Sequence, residues 1–192
     1  MVRVRGASRL LGRAVLAVAV VVAFGAAKSA VSFYGLTFPD RIGNATIGQT
    51  QNFENEHRGL GYGVSYQKPD WVIDIYVYDL GRSSIPEDVS SEVLKAQLKE
   101  AQGDIFELEK RGAYTKVKRT GSFLVKDHRG RARFTCDEFD YTRPDMGQVD
   151  SYLCLTGWHD KFIKYRLTTA HHAGSAADAK RFMAAWLPVL WP

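Results

Sequence analysis

The side chains best suited to chemistry in this 192-residue chain are a few histidines and carboxylates. His171 and His172 are adjacent just ahead of a helical pattern, and His159 falls in a turn. Neighbouring residues of an extended segment point to opposite sides, so at most one of the pair can join His159 or His57 around a metal ion. His-Glu-x-x-His spacing and cysteine pairs at ligand spacing are both absent. The histidines therefore read as solvated loop residues, and neither a metal nor a cofactor is expected. Carboxylates pair as Glu54 with Glu56 and as Asp137 with Glu138, but no apolar sequence surrounds them to raise a pKa, and they read as solvated. A Gly-x-Ser-x-Gly elbow is also missing, and Ser65 lies in mid-strand between Val64 and Tyr66. No catalytic residue is assigned. An enzyme of unfamiliar type would need His57, Asp74, Tyr76 and His171 to converge in space.

Two other groups point to binding. Gly59-x-Gly61-x-Gly63 has the glycines of a phosphate cradle, yet they lead into a strand and no Lys-Ser or Lys-Thr helix follows. Pairing this strand with the next about the turn 67–70 sets Gly63 opposite Asp74, Gly61 opposite Tyr76 and Gly59 opposite Tyr78. The result is a trough floored by glycine and edged by aromatic rings, which either holds a partner or is filled by its own tyrosines. The second group is basic: Lys116, Lys118, Arg119, Lys126, Arg129, Arg131 and Arg133 lie close together with one acid, Asp127. Folding about the turn 127–130 places Lys126 opposite Arg131. Such charges guard an exposed sheet edge or attract an anionic surface.

The elements that must position these residues follow from periodicity. Tyr62, Val64 and Tyr66 alternate with small residues, and Trp71, Ile73, Ile75 and Val77 alternate with Val72, Asp74, Tyr76 and Tyr78. This predicts a hairpin with one large apolar face, pairing Tyr66 with Trp71, Val64 with Ile73 and Tyr62 with Ile75. Leu94, Leu98, Ala101, Ile105 and Leu108 recur at helical spacing, with Ser90 or Ser91 to cap the start and Gly112 to end it. Strands around 116–126, 131–141, 149–158 and 162–169 form a meander. A capping box, Ser175 to Asp178, opens a last helix whose Ala179, Phe182, Met183, Trp186 and Leu190 share a face, so Trp186 is expected to be buried. Residues 30–58 read as an extended lead-in with at most a short strand, and 59–192 as a single α+β domain: an antiparallel sheet with helices packed on it.

The first 29 residues read as a signal peptide. Arg3, Arg5, Arg9 and Arg13 precede an uncharged run from Ala14 to Ala27, short of the roughly 20 apolar residues that span a bilayer. Small residues permit cleavage after Ala27 or Ser29; an uncleaved N-terminal anchor is the alternative. Four of the 26 basic residues fall in residues 1–27 and none of the 21 acidic ones, so the remainder is nearly neutral and a nucleic-acid role is not indicated. In an exported chain the two cysteines, Cys136 and Cys154, favour a disulfide, and a hairpin about 143–148 brings them close to opposite each other.

The order hairpin, helix, meander, helix resembles the PsbP and Mog1 type of α/β/α sandwich, a resemblance that implies an accessory protein of an envelope or lumen rather than an enzyme. The stretches 59–66, 76–81 and 151–157 are similar to exported bacterial proteins of unassigned function. The expectation is a non-catalytic periplasmic or secreted domain. It would bind a protein or an anionic envelope surface, with at most peripheral membrane contact, through the glycine and tyrosine trough or the basic hairpin.

Overall fold

Alternating apolar residues along most of the chain build one broad sheet, seen in a computed structural model that describes residues 30–192. The signal peptide expected over 1–29 lies outside the described residues. In chain order the strands are β1 (Val31–Phe33), β2 (Leu36–Phe38), β3 (Arg41–Ile42), β4 (Ala45–Asn52), β5 (Tyr62–Lys68) and β6 (Trp71–Tyr78). The helix α1 (Glu92–Lys110) leads to β7 (Thr115–Lys126), β8 (Ala132–Arg143), β9 (Gly147–Trp158) and β10 (Lys161–Ala170). The chain finishes with α2 (Ala176–Ala185) and the single turn α3 (Leu187–Leu190). The fold is α+β as expected. The main sheet runs β3-β4-β5-β6-β10-β9-β8-β7 with every pairing antiparallel, and β1 and β2 form a separate small hairpin.

The lead-in is more structured than its mixed composition suggested. Four strands occupy residues 31–52, and β4 pairs with β5 along a register that shifts between Ile47 and Thr50. Ala45 and Ile47 are buried while the second half of β4 is exposed. Only two core contacts mark the strand, too few for periodicity to reveal.

The β5–β6 hairpin keeps its expected faces but not its expected partners. Lys68 pairs with Trp71, Tyr66 with Ile73, Val64 with Ile75 and Tyr62 with Val77. The turn is Pro69 and Asp70, the latter at φ 64°, a conformation aspartate tolerates, and the Lys68 ammonium lies 4.4 Å from the Trp71 ring centroid. A slip of two residues leaves each side chain on its original face, which explains how the core was legible and the pairing was not. At the β7–β8 turn, Lys126 pairs with Ala132 rather than with Arg131. The Asp127 carboxylate accepts from the Arg129 and Arg131 backbone N–H groups at 2.9 and 3.0 Å, a wider loop that separates the two like charges.

Each sheet face has its own cover. On one face α2, α3 and the β1–β2 hairpin pack over Ile73, Ile75, Tyr165 and Leu167, with Trp186 fully buried among Phe38, Tyr66 and Tyr165 at ring separations of 5.6 to 5.8 Å. The capping box of α2 is formed through Ser175 and Asp178. On the opposite face α1, capped by Ser91 and followed by Gly112 at φ 74°, packs Ala101 and Ile105 with Phe139, Tyr141, Val149 and Leu153, and Leu94 with Tyr78, Leu155 and Phe162. None of the helices among the described residues is long and apolar enough to cross a membrane.

Cys136 and Cys154 are direct register partners on β8 and β9 and form the disulfide. The bond closes a loop of sequence separation 18 within the core. Replacing both cysteines by alanine is expected to lower stability by about 3 kcal/mol, the chain-entropy value for such a loop. Guanidinium unfolding checks this, and an unchanged midpoint would show that the bridge adds nothing to the fold.

Candidate functional site

The glycine-rich entry to β5 does gather an anion, and the anion is the chain's own. The Glu54 carboxylate accepts from the Gly59 N–H at 3.0 and 3.1 Å, the Gly61 N–H at 2.7 Å and the Tyr34 hydroxyl at 3.0 Å. Bonds from Gly59, then from Gly61 and Tyr34, outweigh burial and hold Glu54 below its usual range. Burial and the Glu54 charge push the Tyr34 hydroxyl up. Glu54 was expected to be solvated; only the folded loop reveals the N–H groups it meets.

Gly59 and Gly61 therefore do not floor a trough. Gly61, at φ 68°, rests on the end of β6, where a Cβ would lie 1.8 Å from the Val77 carbonyl oxygen; at Gly59, φ 88°, it would lie 2.6 Å from the Gly81 nitrogen. Gly63 sits opposite Tyr76, with the Phe53 ring 3.0 Å from where its Cβ would be.

Around Phe53 and Tyr76 the trough persists as two adjoining hollows. One, of about 240 Å³, is polar and lies among Gln49, Gln51, Ser65, Asp74 and Tyr76. The other, of about 250 Å³, lies between β6 and α1 and is lined by Phe53, Leu60, Tyr76, Tyr78, Leu80 and Lys164 among others. Leu60 and Leu80 are exposed at its rim, at 40 % and 39 %.

The floor beside them is charged. Asp74 pairs in register with Arg166, and burial raises its carboxyl although Arg166 and Arg143 oppose the shift. Arg166 donates to the Tyr141 hydroxyl at 3.2 Å, while its buried Nε has no protein partner. Burial alone would raise Tyr141, yet Arg166, with Ser151 and Thr168, brings it below its ordinary value. Burial lowers the Lys164 ammonium, which stands 5.0 Å and 5.5 Å from the Tyr76 and Tyr78 ring centroids. Lys164 and Arg166 escaped the sequence reading; two cations on one face of the apolar strand 161–170 were the available signal.

The basic group divides. Arg133 turns inward, bonded to Asp127 at 2.9 Å and Glu87 at 3.3 Å and stacked on Trp191, while Arg119 meets the buried Asp137 at 2.5 Å. Asp137 is therefore not the solvated carboxylate expected. Lys116, Lys118, Lys126, Arg129 and Arg131 are exposed, the three lysines on β7, the edge strand.

The histidines do not converge. His159 and His171 lie beyond opposite ends of β10, about 30 Å apart at the rise of a strand. His57 lies near the His159 end, since the Gly59 carbonyl accepts from Leu80 at 2.8 Å. Asp74 and Tyr76 face the α1 side, whereas His171 bonds Asp150, which alternates with Tyr152 and Cys154 on the α2 side. The four residues of the enzyme alternative thus form no common site.

No family model matches the chain, and no curated protein matches it in sequence. Among solved structures it is similar to the solution structure of cyanobacterial PsbP from Synechocystis sp. PCC 6803, at a TM-score of 0.48 and 10 % identity, over 78 % of this chain and 82 % of that one. A protein of unknown function from Pseudomonas aeruginosa aligns at a TM-score of 0.32 and 12 % identity, over 83 % and 91 % of the two chains.

Three tests follow from the site's electrostatics and packing. Glu54→Gln is expected to destabilise the protein at neutral pH. Because the folded pKa is depressed, that stability is present above the unfolded value of about 4.3 and is lost as pH falls through the folded value, so parent and variant unfold alike in strong acid. Gly61→Val is expected to prevent folding or cost several kcal/mol, since it places a branched side chain on backbone at positive φ. Asp74→Asn has the opposite sign: a raised folded pKa means ionisation weakens the fold. The variant should equal or exceed the parent in stability at pH 7 and match it below the carboxylate range, as read by urea unfolding at both pH values.

Proposed function

We propose that this protein is an exported, non-catalytic accessory domain that holds a segment of a partner protein in the twin hollow beside α1. The observation that carries the reading is the pair of adjoining hollows sharing Phe53 and Tyr76, one polar and one in which Leu60, Tyr78 and Leu80 stand beside Gln97, Glu100, Asp104 and Lys164, with Leu60 and Leu80 exposed at the rim. Each is smaller than the roughly 300 Å³ at which pockets for drug-sized ligands begin. Their sizes suit an apolar side chain in the Phe53 and Tyr78 hollow and the neighbouring peptide groups among Gln49, Gln51 and Asp74. Asp74 supports this, because a carboxylate kept on a half-buried face against its own desolvation has a use other than stability. The Cys136–Cys154 disulfide supports export to an oxidising compartment.

The exposed lysines of β7 serve in this reading as guards of the sheet edge. Arg133, committed to Asp127 and Glu87, is withdrawn from any surface role.

The experiment places a photo-crosslinking amino acid at Leu80 or, as a control, at Lys126 in the protein expressed with its natural N-terminus. A discrete partner adduct is expected from Leu80 and not from Lys126. Leu60→Glu with Leu80→Glu, both at exposed positions, is expected to abolish co-purification of that partner with the unfolding midpoint within about 1 kcal/mol of the parent. Undiminished co-purification in the double variant, or adducts from Lys126 alone, would remove the hollow as the binding site.

A further inference from the structure

Away from the hollow, on the α2 side of the sheet, three adjacent strands bring together groups that the sequence reading did not connect. Asp140 on β8 and Asp150 on β9 are direct register partners, so two carboxylates face each other across one rung of the ladder. His171, just past the end of β10, completes the group, and one ligating atom from each residue lies within 4.8 Å of the other two. All three side chains are half-buried, with Asp150 at 15 % and His171 at 28 % exposure, so the cluster is neither a solvated acidic patch nor closed to an entering ion.

Like charges directly opposite on a sheet weaken the pairing of their strands, so the arrangement needs a positive charge or a proton. The protein supplies part of one. His171 Nδ1 lies 2.8 Å from Asp150 Oδ1, and the exposed Lys118 is the register partner of Asp140 from the edge strand.

The ligating atoms are also held in place. The His172 N–H donates to Asp150 Oδ2 at 3.1 Å, leaving Oδ1 toward His171, and the His171 N–H donates to the Gln148 carbonyl at 2.9 Å, fixing the backbone that carries the ring. Two groups each about 2 Å from a tetrahedral ion are about 3.5 Å apart, so the 2.8 Å between His171 and Asp150 opens slightly and the remaining pairs, within 4.8 Å, close by about 1.3 Å at most. Anchoring bonds of this kind orient metal ligands.

We propose that Asp140, Asp150 and His171 form a binding site for a divalent transition-metal ion, with zinc as its representative. One imidazole nitrogen and two carboxylate oxygens suit such an ion better than magnesium or calcium, which take oxygen ligands. On binding, the ion takes one unprotonated imidazole nitrogen of His171 and the two aspartates as carboxylates. Three protein ligands leave a coordination position for water or for a group from a partner. The site depends on neither the twin hollow nor its occupant.

The test is zinc titration of the tag-free, chelator-treated protein, followed by calorimetry and by thermal unfolding. One saturable site and a raised unfolding midpoint are expected. His171→Ala and Asp140→Asn should each weaken zinc binding by more than about tenfold, and His128→Ala, at an exposed turn, should leave it unchanged. Asp140→Asn also removes the facing charge, so without metal it should be at least as stable as the parent, which separates loss of a ligand from loss of the fold. Absence of saturable binding, or binding equally tight in Asp140→Asn, would overturn the proposal.

Discussion

Burial of Trp186 is the constraint on which the rest of the architecture rests. Its ring meets Phe38, Tyr66 and Tyr165 edge-on, so four segments widely separated in sequence converge on one side chain. Aromatic groups of this size dominate core energetics. The contact fixes the C-terminal helices on one face of the sheet, and a bond from the Trp158 indole N–H to the Leu190 carbonyl at 2.8 Å ties down the chain end. With that face sealed, α1 has only the other to cover. Eight strands at about 4.8 Å spacing span over 30 Å, whereas one helix with its side chains is about 10 to 12 Å wide. A single helix leaves part of the face bare, and the hollows of Phe53 and Tyr76 lie where its cover stops.

The glycines and Glu54 define the closed end of that region. An anion cradle formed by backbone N–H groups is useful to a ligand only if no internal carboxylate occupies it, and here Glu54 does. The loop of residues 53–61 is thereby pinned to the end of β6, which sets Phe53 over Gly63 and shapes the wall between the two hollows. A sequence element suggestive of phosphate binding thus has a structural role, and its consequence is a shaped surface next to it.

Much of the architecture was written locally. Both helices, the capping box at Ser175, the apolar faces of β5 and β6, the meander and the Cys136–Cys154 bond all follow from spacings shorter than about 20 residues, where periodicity and turn chemistry act directly. The misreadings share a cause. Whether the hairpin turns at Pro69 and Asp70 or over four residues changes no side chain's face, so hydrophobic pattern is silent on it. Glu54 and Asp137 resemble solvated acids until the loop glycines and Arg119 are brought to them, and β4 carries too few core residues to stand out.

What the chain's own order of residues determined, then, was the kind of elements, their inner faces and the covalent bridge, because each depends on neighbours along the backbone. Only the tertiary structure decided which polar residues meet. Asp74 lies beside Arg166, and Asp140 faces Asp150 and His171, because strands distant in sequence become neighbours at about 4.8 Å once the sheet closes its register. Side-chain chemistry at a site is a property of that register, and register is set by packing and turns together rather than by any one segment.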